Sequence, residues 1–325
     1  MAAEQSNVPL FQQMVGNNYL HGHGELQNRT EAIKWLRQAA DQGFAPAQLD
    51  LGRAYEDGAA GLPDFAEAAN WYRRAAQQPS SSWKGLDSKG TSAPRDDEGS
   101  AIRGLAEAQT RLGLLLLRGK GIPRDEAEAA KWFRQAADKG SSISRTTLGA
   151  MYEDGLGVPQ DFAEAARLYR PTAESGFALA QHHLGRMFEH GRGVPQDYRE
   201  AARWYRLAAE QGHDDACFDL ARAYSTGQGV PRSDTDAAHW LTLAAENGHV
   251  ACQGRLAVMY GQGRGVPLDD KLAYVWSDIA FANNGSALAR GNRDVAASRL
   301  SPAELAQAQR QAEEWKQRLG LGVRH

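Results

Sequence analysis

The sequence predicts an all-α chain: a right-handed α/α superhelical solenoid of seven helix-pair repeats, closed by a C-terminal capping helix. Three columns of residues predict it. Trp35 and Trp71, then Trp132, Leu168, Trp204, Trp240 and Trp276, recur every 36 residues, apart from one longer step of 61. Gly16, Gly52, Gly113, Gly149 and Gly185, continued by Ala221 and Ala257, keep the same spacing. So do Tyr19, Tyr55, Leu116, Tyr152, Phe188, Tyr224 and Tyr260. Chance does not align three columns, and a fixed period of about 20–50 residues is the mark of a repeat array.

One unit runs from Ala178 to His213. Ala180, Leu184, Met187 and Phe188 recur at helical spacing and mark one apolar face, and Gly185 admits a neighbouring helix. The segment Gly191–Gln196 is a tight loop that stops this first helix. A second helix is expected from Asp197, an N-cap residue, with Glu200 three positions later closing a capping box. It continues through Ala201, Trp204, Tyr205 and Ala208 to Gly212, a left-handed stop.

The caps hold along the chain. Asn28, Asp64, Asp125, Asp161, Asp197, Ser233 and Asp269 fill the N-cap column. Glu31, Glu67, Glu128, Glu164, Glu200 and Asp236 stand three positions on, and Leu272 alone departs. Gly43, Gly140, Gly176, Gly212, Gly248 and Asn284 fill the stop column. Propensity, capping and periodicity therefore agree.

The run from Leu184 to Gly212 carries Leu-Gly, Gly-x-Gly-Val-Pro, Asp, Ala-x-x-Trp-Tyr and Ala-Ala-x-x-Gly almost unbroken. In this it resembles the Sel-one-like repeat (SLR) family, a relative of the tetratricopeptide repeat, over roughly Leu10 to Gly320. The resemblance implies a helix-pair superhelix used to bind another protein. Bacterial members look like envelope adaptors, and like immunity proteins that neutralise secreted toxins, type VI phospholipase effectors among them.

The expected organisation is an N-terminal tail over 1–9, seven repeats over 10–284, and a capping helix with its tail over 285–325. The longer step is an insertion over 80–104, where Pro79 replaces a stop glycine and Trp83 stands alone in a polar stretch. Trp83 either packs on a neighbouring helix or meets a partner. Pro171, inside the second helix of repeat four, is expected to bend its last turn. Repeat seven turns apolar at Leu272, Val275, Trp276, Ile279 and Phe281, and an end repeat needs a cover. Ser301, Pro302 and Glu304 open that cover, and Leu305, Ala308, Ala312, Trp315 and Leu319 form its stripe.

Chemistry is sparse. The Gly-x-Gly sequences recur where each first helix ends, so they are turns rather than phosphate loops. His21 and His23 sit in a turn without further metal ligands, and the adjacent His182 and His183 cannot reach one ion together. His213 and His249 follow stop glycines, where they read as packing residues. No nucleophile motif is present. The expectation is a non-catalytic protein with no cofactor and no metal.

The net charge of -3 leaves no basic field for nucleic acid. No apolar run approaches the roughly 18 residues of a membrane span. The N-terminus, Met1 to Ser6, has no signal-peptide pattern, which fits a cytosolic protein and equally a mature periplasmic chain whose signal has been cut away. The periplasm is preferred. Cys217 and Cys252 are too few for a disulfide framework.

Helix geometry places a binding face opposite the core. In repeat five it carries His182, His183, Arg186, Glu189 and His190. Equivalent positions are Asp50, Arg53, Glu56 and Asp57 in repeat two, and Arg111, Leu114 and Arg118 in repeat three. Repeat four gives Thr147, Glu153 and Asp154, repeat six Asp219 and Arg222, and repeat seven Arg255. By resemblance to tetratricopeptide superhelices this face lines a concave groove that binds a protein partner. Arg53, Arg186 and Arg222 share one column and are read as donors to it, the alternative being an internal salt-bridge ladder. The free-standing chain suits a dedicated toxin inhibitor and nearly as well an envelope adaptor. A glycan-binding module would need a ladder of groove aromatics, and the repeated Trp and Tyr belong to packing columns.

Overall fold

The computed structural model describes residues 8–22, 27–59, 61–79, 82 and 98–321. Among them are sixteen α-helices and no strand. Repeats one to four are α1 (Val8–His21) with α2 (Arg29–Asp41), α3 (Ala45–Glu56) with α4 (Phe65–Ala76), α5 (Glu98–Arg118) with α6 (Glu126–Asp138), and α7 (Ser142–Asp154) with α8 (Phe162–Glu174). Repeats five to seven are α9 (Ala178–His190) with α10 (Tyr198–Ala209), α11 (Asp214–Thr226) with α12 (Asp234–Glu246), and α13 (Val250–Gln262) with α14 (Asp270–Asn284). Two further helices follow, α15 (Ala287–Arg299) and α16 (Pro302–Arg318). The chain divides into two compact units, residues 1–168 and 169–325.

In the first unit α1 to α7 pack in sequence, each of α1 to α6 on the next. Its core holds Leu36, Leu51, Tyr72, Leu112 and Phe133, all fully buried. In the second unit α9 to α15 pack in the same sequential way, and α16 returns onto α14. Leu184, Met187, Tyr205 and Leu220 are buried there. Each such side chain stabilises the fold by roughly 1.5–3 kcal/mol relative to exposure.

The cap column works as expected on its first half. Each N-cap side chain accepts a backbone N–H two or three residues on: Glu31 to Asn28, Glu67 to Asp64, Glu128 to Asp125, Glu164 to Asp161, Glu200 to Asp197, Asp236 to Ser233 and Leu272 to Asp269. The expected reciprocal half, a full capping box, does not form at Asp197. Its N–H already donates to the Phe188 carbonyl at 2.9 Å, and Glu200 accepts instead from Arg203. The same bond ties Asp64 to Tyr55, Asp125 to Leu116, Asp161 to Tyr152, Ser233 to Tyr224 and Asp269 to Tyr260. The aromatic column therefore also supplies the carbonyl that closes each helix pair.

A second stitch joins successive repeats. Gln48, Gln181 and Gln253 donate to the carbonyls of Ala40, Ala173 and Ala245 in the preceding repeat's last turn. Cys217 occupies the same column in repeat six, and it and Cys252 are buried free thiols. In the Gly-x-Gly turns the first glycine is a left-handed helix cap, as at Gly227. The second has both positive φ and no room: a Cβ on Gly229 (φ 75°) would stand 1.9 Å from the Tyr198 carbonyl oxygen.

Two expectations, the stop at Asn284 and the single C-terminal helix, are corrected. Asn284 is still helical, and Gly285 takes the left-handed cap position. α8 runs three residues past Pro171, which is exposed. Residues 98–104, the end of the expected insertion, are helical and form the first turns of α5. The C-terminal segment is two helices, not one. α16 has the complete capping box at Ser301 and Glu304, sets Trp315 5.1 Å from the Trp276 ring, and buries Ala308 and Ala312. Lys316 Nζ reaches Asp278 at 2.6 Å and Arg293 of α15 reaches the same carboxylate at 3.1 Å. Trp83 and His23 lie outside the described residues.

Candidate functional site

The first helices α3, α5, α9, α11 and α13 carry the positions expected to form the binding face. In the first unit these positions form one alternating ladder. Asp50 accepts from Asn17 at 2.9 Å and from Arg53 at 3.0 Å. Arg53 also grips Glu107 through two nitrogens, one at 3.0 Å. Glu107 accepts from Arg111 at 2.8 Å, and Arg111 reaches Glu56 at 2.7 Å. The Tyr72 hydroxyl, on a buried ring, donates to the same Glu56 carboxylate at 2.6 Å. Burial pushes the Glu107 carboxyl up, but the bonds from Arg53 and Arg111 outweigh it and hold the group below its ordinary range.

In the second unit the ladder has the same parts. Tyr205 donates to Glu189 at 2.7 Å, and Arg222 donates to both oxygens of Glu189, at 2.5 and 2.8 Å. Arg222 also reaches Asp219 at 2.9 Å, whose other oxygen lies 2.9 Å from His182 Nε2. Burial raises Glu189, and the bonds from Arg222 and Tyr205 turn the balance, leaving it depressed. Burial drives the Tyr205 hydroxyl far upward, so it stays a donor.

This arrangement changes what the face can do. His182 and Glu189, expected opposite the core, are buried, because α10 and α11 cover them with Tyr205, Asp219 and Arg222. Glu153 is buried as well. Arg53, Glu56, Arg111, His183, Arg186 and Arg222 are half-buried, and Arg53 and Arg222 already donate to carboxylates of neighbouring repeats. Asp57, Arg118, His190 and Arg255 are exposed. His213 and His249 do more than pack: each Nδ1 accepts the N–H three residues on, at 3.3 Å, and so caps α11 or α13.

The ladder breaks in repeat seven, and a cavity takes its place. Val258 stands at the arginine position of Arg186 and Arg222, and Gly254 at the position of His182 and Phe218. A Cβ on Gly254 would meet nothing within 4 Å. The resulting cavity of about 450 Å³ is lined by Val250, Ala251, Val258 and Leu288, with Arg255 among its polar groups. Arg255 lies 4.9 Å from the centre of the Phe218 ring. The glycine departure was visible in the sequence, as a glycine in a column held by Leu49, Thr110, Thr146, His182 and Phe218.

Stacked helix pairs with polar ladders between them define a helical repeat scaffold. The Sel1 repeat family matches at 9–44, 45–80, 106–141, 147–177, 178–213, 214–249 and 250–284, and the chain belongs to that family. It is a Sel1-repeat scaffold for protein interaction. A Sel1 repeat protein from Oxalobacter formigenes is 26% identical, with a TM-score of 0.66 over 83% of this chain and 96% of that one. A protective antigen of uropathogenic Escherichia coli with an SLR fold is also 26% identical, covering 97% and 93%, with a TM-score of 0.32. An immunity protein from Pseudomonas aeruginosa is 17% identical over 73% and 81%, with a TM-score of 0.39. The last two superpose too loosely to bear on function. No curated protein matches the chain. No described helix is long and apolar enough to cross a membrane.

Proposed function

We propose that this chain is a non-catalytic scaffold that holds a folded protein partner on the first-helix face. The observation that carries the reading is the cleft of repeat seven, where Gly254 and Val258 replace a ring and an arginine by open apolar space. Its volume suits an apolar side chain of the partner, and a well-packed apolar anchor in a pocket is the usual centre of an interface. Asp57, Arg118, Asp154, His190 and Arg255 are the exposed charged or titratable positions of the face and supply polar contacts in their respective units. Arg53, Arg186 and Arg222 set the polarity of the same face. Trp83 is a further candidate contact.

The narrower reading is that the partner is a secreted toxin effector, type VI phospholipase-like, that the chain neutralises in the periplasm. It rests on the family resemblance alone. The test is affinity capture from the native host, with mass spectrometry to identify what is retained. Gly254→Phe, which restores the ring of Phe218, and Arg255→Glu should each abolish capture while leaving the helical spectrum unchanged. If both variants retain the same protein as the parent chain, the cleft is not the site. For the toxin reading, the parent chain should protect cells expressing the captured protein and Gly254→Phe should not.

A further inference from the structure

Positions 31 residues apart meet between successive repeats. Thr110 Oγ1 lies 3.1 Å from Ser141 Oγ, the rings of Phe218 and His249 are centred 5.7 Å apart, and those of His182 and His213 are centred 4.8 Å apart. The contact is thus a property of the stack, and only at the last of these three pairs are both partners imidazoles. Asp215 adds a carboxylate there, at a position held by Leu179 and Ala251 in the flanking repeats. One ligand atom from each of His182, His213 and Asp215 lies within 4.8 Å of the others.

We propose that His182, His213 and Asp215 bind one borderline transition-metal ion, of the zinc, cobalt or nickel class, between α9 and the start of α11. Two imidazoles and a single carboxylate suit these ions and not magnesium or calcium, which require a shell of oxygens. His213 is already aimed, since its Nδ1 accepts the Ala216 N–H and leaves Nε2 for the ion. His182 is buried and its Nε2 lies 2.9 Å from Asp219, itself held by Arg222 at 2.9 Å. That is the carboxylate support which fixes a ligating imidazole and presents its other nitrogen. Ligands around zinc stand about 3.3 Å apart, given bonds of about 2.0–2.1 Å. The three atoms must draw together from within 4.8 Å, and Asp215, whose side chain is exposed and rests 3.1 Å from His249 Nε2, has the room to move. Three protein donors leave one position for water or for a group from a partner.

The test uses the full chain without a histidine tag, stripped of metal. Cobalt(II) titration followed by visible absorption, and zinc competition against a chromophoric chelator, should each show one equivalent bound. His182→Phe and His213→Ser install the residues found at these positions in Phe218 and Ser141, the latter a working N-cap of α7. Each should lose affinity by about tenfold or more. Asp215→Asn alters only an exposed side chain and should weaken binding without touching the apo melting temperature. His249→Ser should leave the site intact. Absence of saturable binding in the micromolar range, or affinity unchanged from the parent chain in all three ligand variants, overturns the assignment. So does loss in His249→Ser with retention in His182→Phe, which would move the ion elsewhere.

Discussion

Gly185 and Tyr205 are fitted to each other: a Cβ on Gly185 would stand 2.7 Å from the Tyr205 ring. The same pairing joins Gly52 to Tyr72, at 2.5 Å, and Gly113 to Phe133, at 2.8 Å. Where Ala221 and Ala257 take the glycine position, Leu241 and Ser277 take the ring position. Gly16, opposite Leu36, is the exception. The ring is then free to send its hydroxyl to Glu189.

Gly185→Ala should therefore destabilise the chain by about 1–3 kcal/mol through overpacking, despite a gain of up to ~1 kcal/mol in helix propensity. Adding Tyr205→Leu, the pairing of repeat six, should recover part of the loss. Urea denaturation of the two single variants and the double variant measures the coupling. Strict additivity would show that the two residues do not constrain each other.

Glu107 and Glu189 have folded pKa values below their ordinary 4.5. A carboxyl depressed by folding contributes stability that is present above its unfolded pKa and lost as pH falls through the folded one. The melting temperature should hold from neutral pH to about 4.5 and decline below it. In Glu189→Gln that acid decline should be shallower, measured by thermal melts across the range. A slope identical to that of the parent chain would remove Glu189 from the account.

Arg222→Ala would leave the buried Glu189 with the Tyr205 hydroxyl and, at 3.9 Å, the His190 ring. The expected loss is about 1–3 kcal/mol, since a buried charged acceptor loses its partner. Reversing Arg53 and Arg222 to Glu should lower the melting temperature before it says anything about partner binding. Retained stability in the double reversal would show that the ladder is decorative.

Trp315→Ala should cost about 1–3 kcal/mol, because the ring is half-buried against Trp276 and loses part of its packing. Deleting Ser301–His325 should expose the apolar side of α14 and bring aggregation or a lower melting point. An unchanged melting temperature in the deletion would refute the covering role of α16.

The period, the caps and the helix boundaries were legible because each repeat states them locally, in residues such as Asp197 and Gly212. The burial of His182 and Glu189 was not. A helical wheel assigns them outward, and only stacking brings Arg222 and Asp219, more than thirty positions away, over them. The same stacking gathers His182 with His213, which no local spacing announces. α15 escaped notice because its N-cap Ser286 makes no side-chain capping bond and it buries only Ala289 and Ala296. The cleft was legible in principle, as Gly254 in a column otherwise held by larger side chains.

The two kinds of fit differ in how they would survive copying of the gene segment. Gly185 and Tyr205 lie inside one unit, 178–213, so a duplicated or transplanted repeat carries its own internal fit wherever it lands. Glu189 finds its arginine only in the following unit, 214–249. A recombined array would thus keep its helix pairs but strand a buried carboxylate at any junction where the newcomer offers no cation. Repeats three and six hold Leu117 and Ser225 in the column of Glu189, so the boundaries that follow them carry no such requirement and are the permissive places for the array to have grown or been cut.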